Sequence, residues 1–194
     1  MRPKKLLAAF IAPVVAVLVL AGCTETPSYG DSTQGYISGS GVWKEITPAD
    51  RKTPLSFTSK LDTGAKITSA DLLGTVHVIN FWYAGCVPCN AEAPLLEKVA
   101  TEYRGRVDFL GVNTYDQAAT ALTFEQKYHV SYPSAIDTNT AAIQYAYSKY
   151  IPPAAVPTTL VLDKQGRVAA RVTGEVESAD ILTSLIDRVI AEGK

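Results

Sequence analysis

Two cysteines separated by two residues close the run Phe81-Trp82-Tyr83-Ala84-Gly85-Cys86-Val87-Pro88-Cys89. Residues 76–83, which lead into it, are almost continuously apolar and rich in β-forming side chains, which is typical of a strand buried on both faces. From residue 86 to residue 103 the spacing of Leu95, Leu96 and Val99 predicts a helix with one apolar face. The cysteines are therefore expected where a buried strand passes into a helix.

Strands and helices alternate on both sides of this junction. Upstream, residues 55–57 and 66–68 flank the turn signal Asp62-Thr63-Gly64 and predict a short hairpin. Downstream, the periodicity predicts strands at 107–112, 132–136, 158–163 and 167–173, and helices at 118–128, 139–149 and 179–191, the last capped by Ser178. This alternation is typical of a layered α/β domain.

A helix start is a chemically active place for a cysteine. Unpaired N–H groups and the positive end of the helix dipole favour a thiolate there, and the thiol pKa falls from about 8.5 to roughly 3.5–7.5 in such settings. We expect Cys86 to be the attacking nucleophile and the more exposed of the pair. Cys89, one turn into the helix and buried, is expected to close the disulfide. Pro88 falls in the first turn, where its missing N–H costs nothing.

Two alternatives remain open for this cysteine pair. A disulfide that closes so small a loop restrains little of the unfolded chain, so an inert local disulfide would add little stability. A structural zinc site needs four ligands, and the only histidines are His77 and His129, far apart in sequence. We interpret both histidines as structural residues, and we expect neither a metal nor a cofactor at the pair.

The N-terminus has the pattern of an export signal. Three basic residues precede an uncharged apolar run at residues 6–20, which is short for a membrane-spanning helix. The run ends in Leu20-Ala21-Gly22-Cys23, which resembles a bacterial lipobox, so we expect cleavage after residue 22 and lipidation of Cys23. An uncleaved anchor, or ordinary cleavage with Cys23 incidental, is the alternative. Each version places the domain outside the cytoplasm, and lipidation places it on the outer face of the cytoplasmic membrane.

Composition limits the partners that the rest of the chain can bind. Eleven of the eighteen residues 24–41 are Gly, Ser or Thr, so we expect residues 23–41 to be a flexible tether and residues 42–194 to fold. Beyond residue 22 the chain has 15 basic and 19 acidic residues, and no basic cluster that could bind nucleic acid. Attachment to a membrane must then come from lipid. We expect the folded part to be a monomer.

Two separated segments resemble one known family. Both segments are similar to the thioredoxin superfamily, and specifically to its TlpA/ResA-like extracytoplasmic branch. The first runs from Phe81-Trp82 through Cys-x-x-Cys to Glu92-Ala93-Pro94, and the second is Ala155-Val156-Pro157-Thr158-Thr159. The resemblance covers about residues 53–191. It implies a thioredoxin-like three-layer α/β/α fold with a central mixed sheet, an N-terminal β-hairpin extension, and a βα insertion before the strand that follows a cis-proline.

The resemblance also implies roles for particular residues. Pro157 would be a cis-proline beside the dithiol, and Val156 would offer backbone hydrogen bonds to an extended substrate peptide, with Trp82 also assigned to substrate binding. The alternative is a trans proline that opens an edge strand. Pro94 matches the proline that kinks the active-site helix. Gly85 departs from the pattern, because the family usually has a Trp before the first cysteine, so the substrate-facing surface is expected to differ.

Glu92 is the third candidate catalytic residue, after Cys86 and Cys89. It follows Cys86 by six residues, and in ResA-like proteins a glutamate at this place tunes the thiols and handles protons. The alternative is a solvated side chain favoured near a helix N-terminus. Asn80 supports a role for Glu92, because thioredoxins proper have a buried aspartate where this chain has Asn80.

The predicted function is dithiol–disulfide exchange with exported protein thiols. The resemblance favours a reductase acting on substrates such as apocytochrome c during cytochrome c maturation, with electrons from a membrane thiol donor. An oxidase that introduces disulfides into secreted proteins, passing electrons to a membrane acceptor, is the main alternative. A copper-handling module and a thiol peroxidase are further alternatives, although their cysteine spacing and pocket residues fit this chain less well.

Overall fold

The computed structural model describes residues 34–36, 42–151 and 155–193, which contain nine strands and four α-helices. The predicted signal segment, residues 1–22, and Cys23 lie outside the described residues. In chain order the elements are β1 (Gln34–Tyr36), β2 (Val42–Glu45), β3 (Thr58–Lys60), β4 (Lys66–Thr68), β5 (Val76–Trp82), α1 (Val87–Glu102), β6 (Val107–Asn113), α2 (Ala118–Tyr128), β7 (Ser134–Ile136), α3 (Ala142–Ala146), β8 (Thr158–Leu162), β9 (Val168–Thr173) and α4 (Ala179–Glu192). A 3-10 turn spans Ser69–Leu72.

Seven strands form one mixed sheet in the order β1-β2-β9-β8-β5-β6-β7, and β3 pairs with β4 separately. The strand β5 is central, and all seven of its residues are buried. It runs parallel to β6 and antiparallel to β8, while β6 runs parallel to β7. The carboxyl ends of β5 and β6 therefore meet at one edge of the sheet, where β5 passes into α1.

Alternate residues of β5 serve two opposite cores. Val76 and Val78 pack in the core that α1 and α4 cover, and Ile79 and Phe81 pack in the core that α3 and the β3–β4 hairpin cover. Each fully buried aliphatic or aromatic side chain contributes about 1.5–3 kcal/mol through the hydrophobic effect. The three-layer α/β/α arrangement with a mixed sheet, predicted from the sequence, is confirmed.

The insertion between β6 and β8 is shorter in both of its elements than predicted. The strand was expected from residue 132 but begins at Ser134, because Pro133 has no N–H to donate to a ladder. The helix was expected from residue 139 to residue 149, but α3 has five residues. Its start is set by Asp137, whose carboxylate accepts hydrogen bonds from the backbone N–H groups of Ile143 and Gln144, both at 3.0 Å. Sequence periodicity does not detect such a cap.

The predicted hairpin forms around the predicted turn, with its first strand shifted. Residues 55–57 were expected to pair, whereas the ladder begins at Thr58, because a turn closed by Leu61 and Ala65 sets the register. The same turn lies against the exposed edge of β7: Leu61 forms a bridge with Ala135, and the N–H of Asp62 donates to Ser134 O at 2.8 Å. The hairpin therefore covers one edge of the main sheet.

At the opposite edge, β2 pairs with β9 and β1 pairs with β2. The segment Gln34–Tyr36 was expected to belong to a flexible tether, but its backbone continues the sheet as β1. In the part of the chain that the structure describes, no helix has both the length and the apolar character needed to span a membrane.

Candidate active site

The dithiol lies at the junction between β5 and α1. Cys86 occupies the N-cap position of α1 and forms a disulfide with Cys89, with the two Cα atoms 5.2 Å apart. The backbone N–H of Cys89 donates to Cys86 Sγ at 3.2 Å, so the first sulfur already has a hydrogen-bond donor from the first turn. Pro88 lies in that turn, where no N–H is required. This arrangement stabilises negative charge on Cys86 once the disulfide is reduced.

Cys86 was expected to be the more exposed cysteine, and the two in fact differ very little in exposure. Cys86 is 3% exposed and Cys89 is 2% exposed, so burial does not distinguish them. The cause is the loop before β8, which brings Val156 O to within 3.9 Å of Cys86 Sγ. The two residues differ instead in position, because Cys86 precedes the helix and Cys89 lies inside it.

The turn before Cys86 is held by a carboxylate that sequence reasoning missed. The side chain of Asp116 accepts a hydrogen bond from the N–H of Ala84 at 2.7 Å and another from the amide of Asn113 at 3.0 Å. Asn113 ends β6, and its own side-chain carbonyl oxygen accepts from the N–H of Asp116 at 2.6 Å. Asp116 could have been predicted from the sheet order. The parallel strands β5 and β6 end side by side, so polar residues just after β6 lie beside the loop that carries Cys86.

Glu92 is buried, at 1% exposure, so the alternative of a solvated side chain is wrong. One carboxylate oxygen accepts from the Asn80 amide at 2.8 Å, and the other accepts from the backbone N–H of Val176 at 2.8 Å. Asn80 also donates to the Thr159 hydroxyl at 3.1 Å. Asn80 therefore bonds directly to Glu92, a contact that the sequence did not reveal.

Burial raises the pKa of Glu92 to about 7, because a carboxylate inside the protein loses its hydration. The hydrogen bonds from Val176 and Asn80 act in the opposite direction, since they favour the charged form. A carboxyl group with a pKa near neutrality can both take up and release a proton at neutral pH.

The turn before β8 contains a cis peptide bond between Val156 and Pro157, so the alternative of a trans proline is wrong. The Thr158 hydroxyl donates to Ala155 O at 2.7 Å, and the N–H of Gly174 donates to Pro157 O at 2.9 Å. These bonds tie the turn to itself and to the end of β9. The structure thus brings Val156, Pro157 and the dithiol together, as the resemblance implied.

Trp82 lies in the core rather than on the surface. It is 4% exposed, its ring centroid is 4.2 Å from that of Phe124 on α2, and it belongs to the same apolar cluster as the two cysteines. Cys86 is equally buried, so burial alone does not separate Trp82 from a substrate, and its assignment to substrate binding stays a prediction beside the packing role. The exposed apolar side chains beside the dithiol are instead Val87 and Tyr115, each 76% exposed.

The two histidines are placed as structural residues. His77 is buried in β5, with Nδ1 3.0 Å from Thr75 O, and burial lowers its pKa. His129 ends α2 in the left-handed conformation, with φ of 56°. Among the residues that the structure describes, no three or more His, Cys, Asp or Glu side chains are grouped so that they could hold a metal ion.

The chemistry available at this junction is the making and breaking of one sulfur–sulfur bond, at a helix start and against a cis-proline turn. With the mixed sheet, this defines the chain as an oxidoreductase of the thioredoxin superfamily, of the TlpA/ResA-like type. More narrowly, the chain belongs to the Redoxin family, whose sequence pattern matches residues 48–185.

Known relatives agree with this class. The chain is 28% identical over 163 residues to a thiol-disulfide oxidoreductase ResA of Bacillus cereus, covering 84% of this chain and 86% of that protein. It is similar in structure to a DsbF homologue from Corynebacterium diphtheriae, with a TM-score of 0.67 and 27% identity over 80% of this chain and 98% of the other. It also resembles a secreted thiol-disulfide isomerase from Corynebacterium glutamicum, with a TM-score of 0.67 and 28% identity over 76% and 91% of the two chains. The prediction of a thiol–disulfide oxidoreductase with a Cys86–Cys89 pair is confirmed.

Proposed function

We propose that this oxidoreductase works outside the cytoplasm as a reductase of disulfides in exported proteins, with Cys86 as the attacking thiol and Cys89 as the resolving thiol. The observation that carries the proposal is the position of Cys86 Sγ, which accepts the N–H of Cys89 at the start of α1 and lies 3.9 Å from Val156 O. A thiolate formed there has a hydrogen-bond donor on one side and the substrate-binding turn on the other.

The first step is attack by the Cys86 thiolate on one sulfur of a substrate disulfide. A bond forms between Cys86 and that sulfur, the substrate's own sulfur–sulfur bond breaks, and the second substrate sulfur leaves as a thiolate. The N-cap position of Cys86 favours the thiolate form of the attacking sulfur.

The second step is attack by Cys89 on the sulfur of Cys86. The Cys86–Cys89 disulfide forms, the bond from Cys86 to the substrate breaks, and the substrate leaves reduced. Cys89 lies inside the helix at 2% exposure, so its proton must go to a protein group or to a buried water. Glu92, buried on the same helix with a pKa of about 7, is the proton acceptor in this proposal.

The substrate lies along the turn that contains the cis-proline. Val156 offers its backbone to an extended peptide, and Pro157 keeps that backbone beside Cys86. The exposed side chains of Val87 and Tyr115 then provide apolar contacts on either side of the buried sulfurs. Such a surface suits an unfolded segment around a cysteine, including the haem-attachment segment of an apocytochrome c.

The direction of electron flow follows from charge near the thiols. Glu92 follows Cys89 by three residues on α1, so its buried carboxylate opposes a second negative charge on sulfur. This effect acts against the helix start, which favours the Cys86 thiolate, and it makes the dithiol a better electron donor by disfavouring the reduced, ionised pair. Glu92 supports the reductase direction in this way. A membrane thiol protein would return the electrons, and lipid on Cys23 would hold the monomeric domain at the outer face of the cytoplasmic membrane.

Two measurements on the full chain in detergent test this proposal. We expect the reduction potential of the pair, measured against glutathione or thioredoxin, to lie nearer to about −270 mV than to about −120 mV; a value at the high end would instead support an oxidase. We also expect Cys89→Ser to accumulate covalent complexes with exported proteins through Cys86. The double variant Cys86→Ser/Cys89→Ser serves as the blank. If Cys89→Ser forms no covalent complexes, the assignment of the two roles is wrong.

Membrane attachment has its own test. When cells are grown with an alkyne-labelled fatty acid, we expect the wild-type chain to be labelled and to sediment with membranes. The Cys23→Ala variant should lose the label. A labelled Cys23→Ala chain would contradict the lipidation of Cys23.

A further inference from the structure

Glu125 is a second buried carboxyl group near the dithiol, and the function described so far does not use it. It lies on α2, is 8% exposed, and its Oε1 atom has no hydrogen-bond partner among the described residues. The Oγ atom of Ser134, on β7, is likewise buried without a partner in that part of the chain. Burial raises the pKa of Glu125 to about 7; the nearby Ser134 hydroxyl acts against this rise, and the carboxylate of Asp62 adds to it.

Glu125 and Cys89 line the same cavity. This cavity, of about 10 Å³, lies between β5, α1, α2 and β7. Its polar or reactive lining residues are Asn80, Trp82, Cys89, Glu125, Tyr132 and Ser134. That volume is about the minimum that one water molecule needs, and a buried water needs two to four polar partners. The carboxyl, hydroxyl and amide groups around the cavity provide them. One water molecule can therefore connect the Cys89 thiol to the unpartnered oxygen of Glu125.

The other ionisable groups around Glu125 are Asp62, Tyr132 and His129. Asp62 raises the pKa of Glu125 through its charge and a side-chain hydrogen bond, and it also accepts two backbone N–H groups, from Thr63 at 2.6 Å and from Ser134 at 3.1 Å. Burial and three surrounding carboxylates raise the pKa of Tyr132, which keeps its hydroxyl protonated. The carboxylates that act on Tyr132 are those of Glu92, Glu97 and Glu125, and His129 shares an outer groove with Glu125.

We propose that Glu125 is a second proton acceptor for the Cys89 thiol, acting through one water in the cavity that they share. When Cys89 attacks the mixed disulfide, its proton passes to the water and a proton of that water passes to the Glu125 carboxylate. The sulfur–sulfur bond to Cys86 then forms and the substrate thiolate leaves. In the reverse direction, protonated Glu125 returns the proton to Cys89 as its sulfur leaves Cys86.

Glu92 and Glu125 differ in the hydrogen bonds that hold them. Both carboxylate oxygens of Glu92 are held, by Asn80 and Val176, and Glu92 does not line the cavity that contains Cys89. Asn80 does line it, so Asn80 connects Glu92 to the same space from the opposite side. Two buried carboxyl groups can thus accept the proton of Cys89. Of these, Glu125 has an oxygen, Oε1, with no hydrogen-bond partner among the described residues.

This inference rests on the proposed role of Cys89 as the resolving thiol, and the test separates the two. The reduced full chain is mixed with excess 5,5′-dithiobis(2-nitrobenzoate) in a stopped-flow instrument between about pH 5.5 and pH 9, a range that spans the ordinary pKa values of both acid types. Attack by Cys86 releases one thionitrobenzoate, and attack by Cys89 on the mixed disulfide releases a second at a rate independent of reagent concentration. A wild-type chain that lacks the second phase would overturn the role of Cys89 and this inference with it.

We expect Glu125→Gln to slow the second phase roughly tenfold at pH 7 and to remove one inflection from its pH profile, leaving the first phase unchanged. Glu125→Asp, which keeps a carboxyl group, should restore the inflection in part. The control is Glu102→Gln, the same change of charge at an exposed position of α1. Superimposable second-phase pH profiles for wild type and Glu125→Gln would overturn the inference and leave the role of Cys89 intact.

A measurement on the wild-type chain covers the case in which Glu125→Gln fails to fold. Carboxyl ¹³C resonances of labelled glutamate are followed against pH in the disulfide and dithiol forms. We expect the Glu125 midpoint to differ between the two forms, because its neighbour in the cavity changes from a disulfide sulfur to a thiol. Identical midpoints would overturn the inference.

Discussion

The side-chain amide of Asn80 donates a hydrogen bond of 2.8 Å to the carboxylate of Glu92, which links the central strand β5 to the active-site helix α1 inside the protein. A neutral amide at this position can stabilise the charged carboxylate, whereas a second carboxyl group would repel it. The buried acid of the site is therefore carried by the helix, and the strand supplies its hydrogen-bond partner.

Glu92 should make stability depend on pH. Its pKa is raised from 4.5 to about 7 on folding, so the folded chain holds the proton to higher pH than the unfolded chain does. The stability that protonated Glu92 gives the folded chain is present at low pH, and it is lost as the pH rises from about 4.5 through 7. We expect Glu92→Gln to gain roughly 3 kcal/mol relative to wild type between about pH 4.5 and pH 8, in urea denaturation of the disulfide form. Parallel stability curves for the two proteins would contradict this.

Asp116 should stabilise the turn that carries Cys86. Asp116→Ala leaves the partly buried N–H of Ala84 and the amide of Asn113 without this acceptor, and we expect a loss of about 1 kcal/mol in denaturant unfolding. Asp108→Ala is the matched control, because the Asp108 side chain is 63% exposed and its removal should cost about 0.5 kcal/mol or less. Equal losses in the two variants would show that the Asp116 contact is unimportant.

Tyr115 should contribute to binding protein substrates. It is 76% exposed, and its ring lies 5.7 Å from that of Tyr83, three residues before Cys86. We expect Tyr115→Ala to lower kcat/KM for insulin reduction about fivefold, which corresponds to roughly 1 kcal/mol, without changing the rate with a small disulfide reagent. Tyr145, 68% exposed on α3, provides the control. A similar loss in Tyr145→Ala would remove the argument for a local contact.

Arg51 should be a major contributor to stability. Its guanidinium bonds Glu192 at 2.6 Å and 2.8 Å and Asp163 at 3.2 Å, with its own side chain 3% exposed, so it joins the chain before β3 to β8 and α4. We expect Arg51→Leu to cost about 1–3 kcal/mol, because it removes the buried guanidinium that bonds both Glu192 and Asp163, although Asp163 keeps its ion pair with Arg167 at 2.8 Å. Arg188→Leu removes an exposed ion pair with Glu45 and should cost under about 1 kcal/mol in the same thermal or urea experiment.

Local patterns were sufficient for the main elements. The apolar run of β5, the helix that follows it and the amphipathic pattern of α4 each depend on side chains close in sequence, so periodicity finds them. The Cys-x-x-Cys spacing at the junction predicted the chemistry for the same reason.

The features that could not be predicted depend on contacts between distant residues. Cys86 is covered by the turn at Val156, far along the chain, and Glu92 is bonded to Val176, so neither burial can be read from nearby residues. Asp116 and Glu125 look like ordinary surface acids in the sequence. They become site residues only when β5, β6 and β7 are placed side by side, which is a property of the sheet order.

The way the main sheet ends limits how another polypeptide can pair with it. At one edge of the main sheet, the turn at Leu61 contacts β7. At the other edge, the last strand is β1, which has three residues. Within the described residues, another polypeptide therefore finds little unpaired backbone along which it could add as a further strand. Contact with another polypeptide is therefore left to the end of the sheet that carries the dithiol, where β5 passes into α1.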